Sequence, residues 1–222
     1  MKIKWLGWSS FKLNVGGKIL YTDPFLGKYD EIGDIVLISH GHADHSDLDV
    51  LSRIRNEKTV VLTSSPNAEN VKGLGLNPGE KFDIADISIS AVQAYNIVRM
   101  REPNVPFHPK GFGVGWIIEY AGKRIYFLGD TELIPEMNEI NNIDVLFIPV
   151  SGRFVMDMSE AIETVKLIKP VKAIPMHYGT IDVVFGTTPM HIELETEVNI
   201  FKDSLKGITE VILLNHNEEI EL

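Results

Sequence analysis

The sequence predicts an α/β protein of two sheets packed face to face with helices on the outside, a four-layer αββα sandwich. Two observations carry this. Each half of the chain opens on hairpin strands and then passes to alternating strands and helices. Several runs of strand length are apolar at consecutive positions and β-branched, as buried strands are.

Taken in order, Lys2–Leu6, Phe11–Val15 and Lys18–Thr22 read as strands, with Gly16-Gly17 marking a hairpin between the last two. A strand is expected over Asp34–Ile38. Ser46-Asp47-Leu48-Asp49 then reads as the capped start of a helix over Asp47–Arg55, with Leu48, Leu51 and Ile54 on one face. Thr59–Leu62 and Ile87–Val92 continue the strands. The second half begins with Gly113–Tyr120 and Lys123–Leu128, joined at Ala121-Gly122. Asp144–Pro149 and Lys172–Met176 flank a helix that Asp157 and Glu160 cap and Pro170 stops. Its Met158, Ala161, Ile162, Val165 and Ile168 share a face. No linker rich in Ser, Gly or Pro divides the chain, so one domain over 1–222 is expected.

Chemistry concentrates at one turn. Ile38-Ser39-His40-Gly41-His42-Ala43-Asp44-His45 places three histidines and an aspartate between a strand and a helix. Imidazole and carboxylate are the donors that borderline divalent cations prefer. Of the seven histidines in the chain, His108 lies in a loop punctuated by Pro and Gly, and His177 follows the strand Ala173-Ile174-Pro175-Met176. Asp130 ends the strand Arg124–Leu128 at a Gly-Asp turn. Alone, His108 reads as a surface residue, Asp130 as an Asp turn and His177 as a core imidazole. Beside the cluster they read as ligands, because loops at strand ends converge while the sheet holds them rigid. His191, in a helix expected to start near Pro189, and His216, in the Asn215-His216-Asn217 turn, are expected to be structural or solvent-exposed.

His-x-His-x-Asp-His, a loop His, Gly-Asp-Thr after a strand and Met-His-Tyr-Gly together resemble the metallo-β-lactamase superfamily, from about Met1 to His177. Phe107-His108-Pro109-Lys110-Gly111, Gly129-Asp130-Thr131-Glu132 and Pro175-Met176-His177-Tyr178-Gly179 resemble a small branch that includes ascorbate-6-phosphate lactonase-like proteins. The resemblance implies the same αββα sandwich, with mixed sheets, and two adjacent metal sites. His40, His42 and His108 would hold the first metal and Asp44, His45 and His177 the second, with Asp130 bridging. A shared carboxylate offsets the repulsion of two cations about 3.5–4 Å apart. A water between them would ionise near neutral pH and serve as the metal-bound hydroxide nucleophile, with Asp44 orienting it or accepting a proton. Zinc is expected first; manganese, iron and nickel suit the same donors. Relatives in this branch often carry histidine where Trp8 stands, so a substrate contact there would differ in this chain.

Composition narrows the function. The chain has no cysteine, which excludes disulfides and thiolate ligands. The best-known zinc β-lactamases carry a cysteine where Asp130 stands, so antibiotic hydrolysis is disfavoured. A net charge of −10 offers no basic footprint for nucleic acid. No leader and no apolar run of membrane-spanning length is seen, so a cytoplasmic protein with no membrane partner is expected. The expected partner is a small molecule, with an anionic one and a homo-oligomer both allowed. The Tyr95–Lys110 loop carries Arg99, Arg101 and Lys110, cations suited to a phosphate or carboxylate. Arg153 after the Asp144–Pro149 strand and Tyr178 beside His177 are further candidates for substrate contact.

The leading expectation is a dinuclear metal-dependent hydrolase of a small ester, lactone or phosphodiester. The alternatives are a mononuclear or dinuclear iron oxidoreductase on the same ligands, and a metal-stabilised binding protein without turnover.

Overall fold

A computed structural model describes residues 1–185, 188–194 and 198–222. The first half contains β1 (Lys2–Gly7), β2 (Ser10–Val15), β3 (Lys18–Thr22), β4 (Ile35–Ile38), α1 (Leu48–Ile54), β5 (Val60–Ser64), α2 (Ala68–Val71) and β6 (Leu74–Leu76). Next come β7 (Lys81–Ile84), β8 (Ile87–Ala94), β9 (Met100–Glu102), β10 (Val105–Pro106), β11 (Gly113–Tyr120) and β12 (Lys123–Phe127). The chain continues through β13 (Val145–Pro149), α3 (Met158–Ile168), β14 (Lys172–Met176), β15 (Gly179–Phe185) and β16 (Thr188–Leu194). It closes with α4 (Val198–Ser204), β17 (Glu210–Val211) and β18 (Glu219–Glu221).

Two mixed sheets result. One runs β18-β1-β2-β3-β4-β5-β6 and the other β17-β14-β13-β12-β11-β8-β7. Each is antiparallel where hairpins connect its strands and parallel from β3 or β12 onward. The all-apolar β4 has a simple cause: its side chains alternate between two clusters. Ile35 and Leu37 enter the core between the sheets, whereas Val36 and Ile38 lie under α1 with Val50, Leu51 and Ile54. Across the main core Phe11 of the first sheet meets Phe147 of the second, ring centroids 4.5 Å apart, and Trp116 is fully buried.

Helix caps follow the expected chemistry. Asp47 accepts from the backbone of Asp49 and Val50, both at 2.9 Å, and Asp157 with Glu160 forms a reciprocal capping box at the start of α3. Leu48 is not on the buried face of α1. It occupies the first helical position, 47 % exposed, and Val50 takes its place. His191 lies in β16 rather than in a helix. β15 and β16 pair antiparallel from Gly179↔Leu194 to Phe185↔Thr188, and this cross-strand ladder prevails over local helical spacing. His216 shares a 2.6 Å hydrogen bond with the Leu6 carbonyl, tying the C-terminal turn to β1. Among the described residues, no helix is long and apolar enough to cross a membrane.

Truncating Phe147 to Ala removes a ring that also neighbours Phe127. It is expected to cost about 3–5 kcal/mol of stability, measured as a lower urea midpoint with little change in slope.

Candidate metal centre

The site forms where the parallel strands end. β4 runs into His40, β12 into Gly129-Asp130 and β14 into His177, while the turn after β8 and the β9–β10 hairpin deliver His108. Two backbone features make the approach close enough. Gly129 has φ +64°, and a Cβ there would lie 2.8 Å from Ser39 Cβ, so only glycine lets β12 reach the β4 turn. His177 itself has φ 59°, a costly conformation for a non-glycine residue, and its backbone N–H donates to Trp8 carbonyl at 3.1 Å.

The donors fall into two groups joined by Asp130. His40 Nε2 lies 3.0 Å from His42 Nδ1, which lies 3.2 Å from His108 Nε2. In the other group His45 Nε2 stands 3.6 Å from Asp44 Oδ2, and His177 completes it. Asp130 reaches both: Oδ2 is 3.2 Å from His108 Nε2 and 3.2 Å from His177 Nε2, while Oδ1 is 3.3 Å from His45 Nε2. Thus all seven sequence-predicted donors come together.

The outward nitrogens explain which atoms face inward. Asn96 aims its Nδ2 at Glu132 Oε1 and Phe154 carbonyl, so its Oδ1 accepts from His108 Nδ1–H at 2.6 Å. Ser39 donates its hydroxyl to Asp23 Oδ2 at 2.7 Å and therefore accepts from His40 Nδ1–H at 2.9 Å. Asp23 Oδ2 also holds His45 Nδ1 at 2.6 Å, and Ser151 Oγ holds His177 Nδ1 at 3.2 Å. These partners leave the Nε2 lone pairs of His40, His108 and His45 directed inward. Trp8 is a positioning residue and not an exposed substrate contact. It is buried, its Nε1 donates to Asp44 Oδ2 at 3.1 Å, and its ring lies 4.3 Å from that of His177.

A divalent cation fits this donor set. Tetrahedral coordination at about 2.0–2.1 Å places donor atoms about 3.3 Å apart, close to the spacings above. His45 Nε2, His177 Nε2 and Asp130 Oδ1 are buried with no hydrogen-bond partner among the described residues, a costly arrangement that a cation relieves. Burial, reinforced by the charge of His45, holds His40 well below the ordinary imidazole range, and burial with His108 brings His42 down to about 4. His45 goes the other way: burial lowers it, but the carboxylates of Asp130, Asp44 and Asp23 outweigh burial and raise it well above. Asp130 is held well below the carboxylate range despite its burial, by His177 and His45.

Sequence reasoning did not single out Asp23, Asn96 or Glu132. Glu132 is buried and accepts the backbone N–H groups of Ile97, Val98 and Arg99, each at 2.7 Å, which shapes the segment carrying Asn96. Its place beside Asp130 in Gly129-Asp130-Thr131-Glu132 was the available signal. The Tyr95–Lys110 segment does reach the site, because Arg101 Nη2 lies 3.3 Å from His42 Nε2. The other candidate contacts are engaged elsewhere. Lys110 pairs with Glu136 at 2.7 Å, Arg153 lies over the Phe154 ring, and Tyr178 stacks on Trp5 with its phenol pushed up to about 12 by burial.

The sequence pattern of the beta-lactamase superfamily domain matches residues 2–177. The chain belongs to the metallo-β-lactamase superfamily. Within it the chain is a metal-dependent hydrolase, similar to a UPF0173 metal-dependent hydrolase of Carboxydothermus hydrogenoformans. That relative is 33 % identical over 199 residues, 83 % of this chain and 87 % of the relative. The crystal structure of a protein from Parabacteroides distasonis, assigned as a metal-dependent hydrolase, is similar with TM-score 0.84 and 27 % identity, covering 97 % of this chain and 93 % of that one. CmlA, a diiron β-hydroxylase from Streptomyces venezuelae, shares the fold at TM-score 0.74 and 14 % identity, covering 100 % of this chain and 54 % of that one.

Replacing Asp23 by Asn removes the carboxylate behind His45. The expected result is a loss of about 10–100-fold in metal affinity, read by competition with a chromophoric chelator. The raised His45 also sets a pH dependence. A cation taking Nε2 displaces a proton, so affinity is expected to rise with pH, and calorimetry in two buffers of different ionisation enthalpy should show proton release.

Proposed function

We propose that this chain is a dinuclear hydrolase that acts on a small ester, lactone or phosphodiester. The observation that supports this reading is the position of Asp130, whose two oxygens address both groups of imidazoles at 3.2–3.3 Å. His40, His42 and His108 would hold one cation, Asp44, His45 and His177 the other, and Asp130 both. Zinc is the expected metal for donors of this kind, although manganese, iron and nickel share the preference. A bound pair supplies positive charge that lowers the pKa of an intervening water and polarises the scissile carbonyl or phosphoryl group.

The protein's own groups do the rest. Asp44 keeps 15 % of its side chain exposed while those of His45 and His177 are fully buried, so it is the member of its group that faces the substrate. Trp8 Nε1–H fixes the orientation of its Oδ2, and the carboxylate is placed to orient the attacking water and take its proton. The strand ends that carry Asp130 and His177 are anchored in the core, which holds the donors in place during turnover.

Elemental analysis of protein purified without chelator or immobilised nickel is expected to find about two zinc or manganese per chain. One iron per chain with oxygen uptake would instead favour an oxidoreductase, a chemistry the fold also houses in the diiron β-hydroxylase CmlA. With metal saturation verified, Asp44→Asn is expected to lower kcat by about 10²–10⁴ on a panel of esters, lactones and phosphodiesters, with less effect on KM.

A further inference from the structure

The Tyr95–Lys110 segment and the turn after β13 carry four cations, Arg99, Arg101, Lys110 and Arg153, and three of them have other partners. Arg99 meets Glu132 and Asp157, each at 3.0 Å, and also pairs with Glu160. Lys110 is held by Glu136, and Arg153 lies 5.0 Å from the centre of the Phe154 ring. Arg101 differs. Among the described residues no carboxylate pairs with it, and its one polar contact is His42 Nε2 at 3.3 Å. Glu102, the next residue in β9, projects to the opposite face by strand alternation.

His42 is also unlike its neighbours. His40, His45, His108 and His177 each have a hydroxyl, carboxylate or amide oxygen on the nitrogen that faces away from the centre. His42 turns Nδ1 inward, and the group against its outward Nε2 is a guanidinium. A guanidinium has donors only. When Nδ1 holds a cation, the neutral ring carries its proton on Nε2, so two N–H donors confront each other without an acceptor. Arg101 is exposed, so solvent reaches these donors, and an anionic oxygen placed between them takes a charge-assisted hydrogen bond from each.

We propose that Arg101 and the Nε2–H of His42 form a subsite for an oxyanion, so that the hydrolysed substrate carries a carboxylate or phosphate group beside its scissile bond. This rests on the metal-hydrolase reading of the site. It also reconciles a small anionic substrate with a chain of net charge −10, because the recognising charge is local.

The test uses the full-length, metal-loaded protein and Arg101→Met, with equal metal content verified for both. Two 4-nitrophenyl esters of matched length are compared, the neutral butyrate and the anionic hemisuccinate. The ratio of kcat/KM for hemisuccinate over butyrate is expected to fall about 10–100-fold in Arg101→Met, with Arg101→Lys between the two. Calorimetric binding of succinate and of inorganic phosphate, which needs no turnover, should weaken by a similar factor in Arg101→Met. Weakening for phosphate alone or for succinate alone supports the subsite and names its anion. An unchanged ester ratio together with unchanged affinity for both anions would overturn it. If neither ester is hydrolysed by the unaltered protein yet Arg101→Met still binds an anion more weakly, the subsite stands and the ester reading fails.

Discussion

Several buried polar atoms aimed at one another cannot be satisfied by protein alone. His40, His45, His108 and His177 are buried and converge on Asp130, with His42 set against His40 and His108. Asp130 carries one charge, and the few protons available cannot fill every contact. Positive charge placed between the donors removes the conflict, and much of the surrounding architecture serves to keep the donors where that charge belongs.

Keeping them there is the task of residues that never touch the centre. Asp23, Ser39, Asn96 and Ser151 each fix a ring by its outer nitrogen, and Glu132 fixes Asn96 in turn by gathering three backbone N–H groups. Trp8, Asp23 and His177 all adopt positive φ, at 55°, 38° and 59°. Strain of this kind persists only where packing over-determines it. The two mixed sheets supply that packing, through strands such as β4 whose opposite faces enter two separate apolar clusters.

Much of this was legible in the primary structure. The hairpin and strand–helix order marked two sheets, and β4, β12 and β14 stand within one or two residues of their expected bounds. All seven donors were identifiable because six residues hold four of them and the rest follow apolar strands or lie in a Pro/Gly loop. Short or weakly patterned elements were not legible: β6, β9 and β10 are only two or three residues long, and the closing β18 depends on β1 at the other end of the chain.

The sequence by itself determined the ligand types, their order and the strand ends on which they stand, since those follow from local periodicity and side-chain chemistry. Tertiary structure alone decided which nitrogen of each histidine faces inward, because the partners lie elsewhere, as Asp23 does 22 residues before His45. It also decided which cation meets the site. Arg99, Arg101, Lys110 and Arg153 are equivalent as letters, but the carboxylates Glu132, Asp157, Glu160 and Glu136 and the Phe154 ring draw in three and leave Arg101 against His42. Charge pairing is a property of distance in space, and the chain folds before that distance exists.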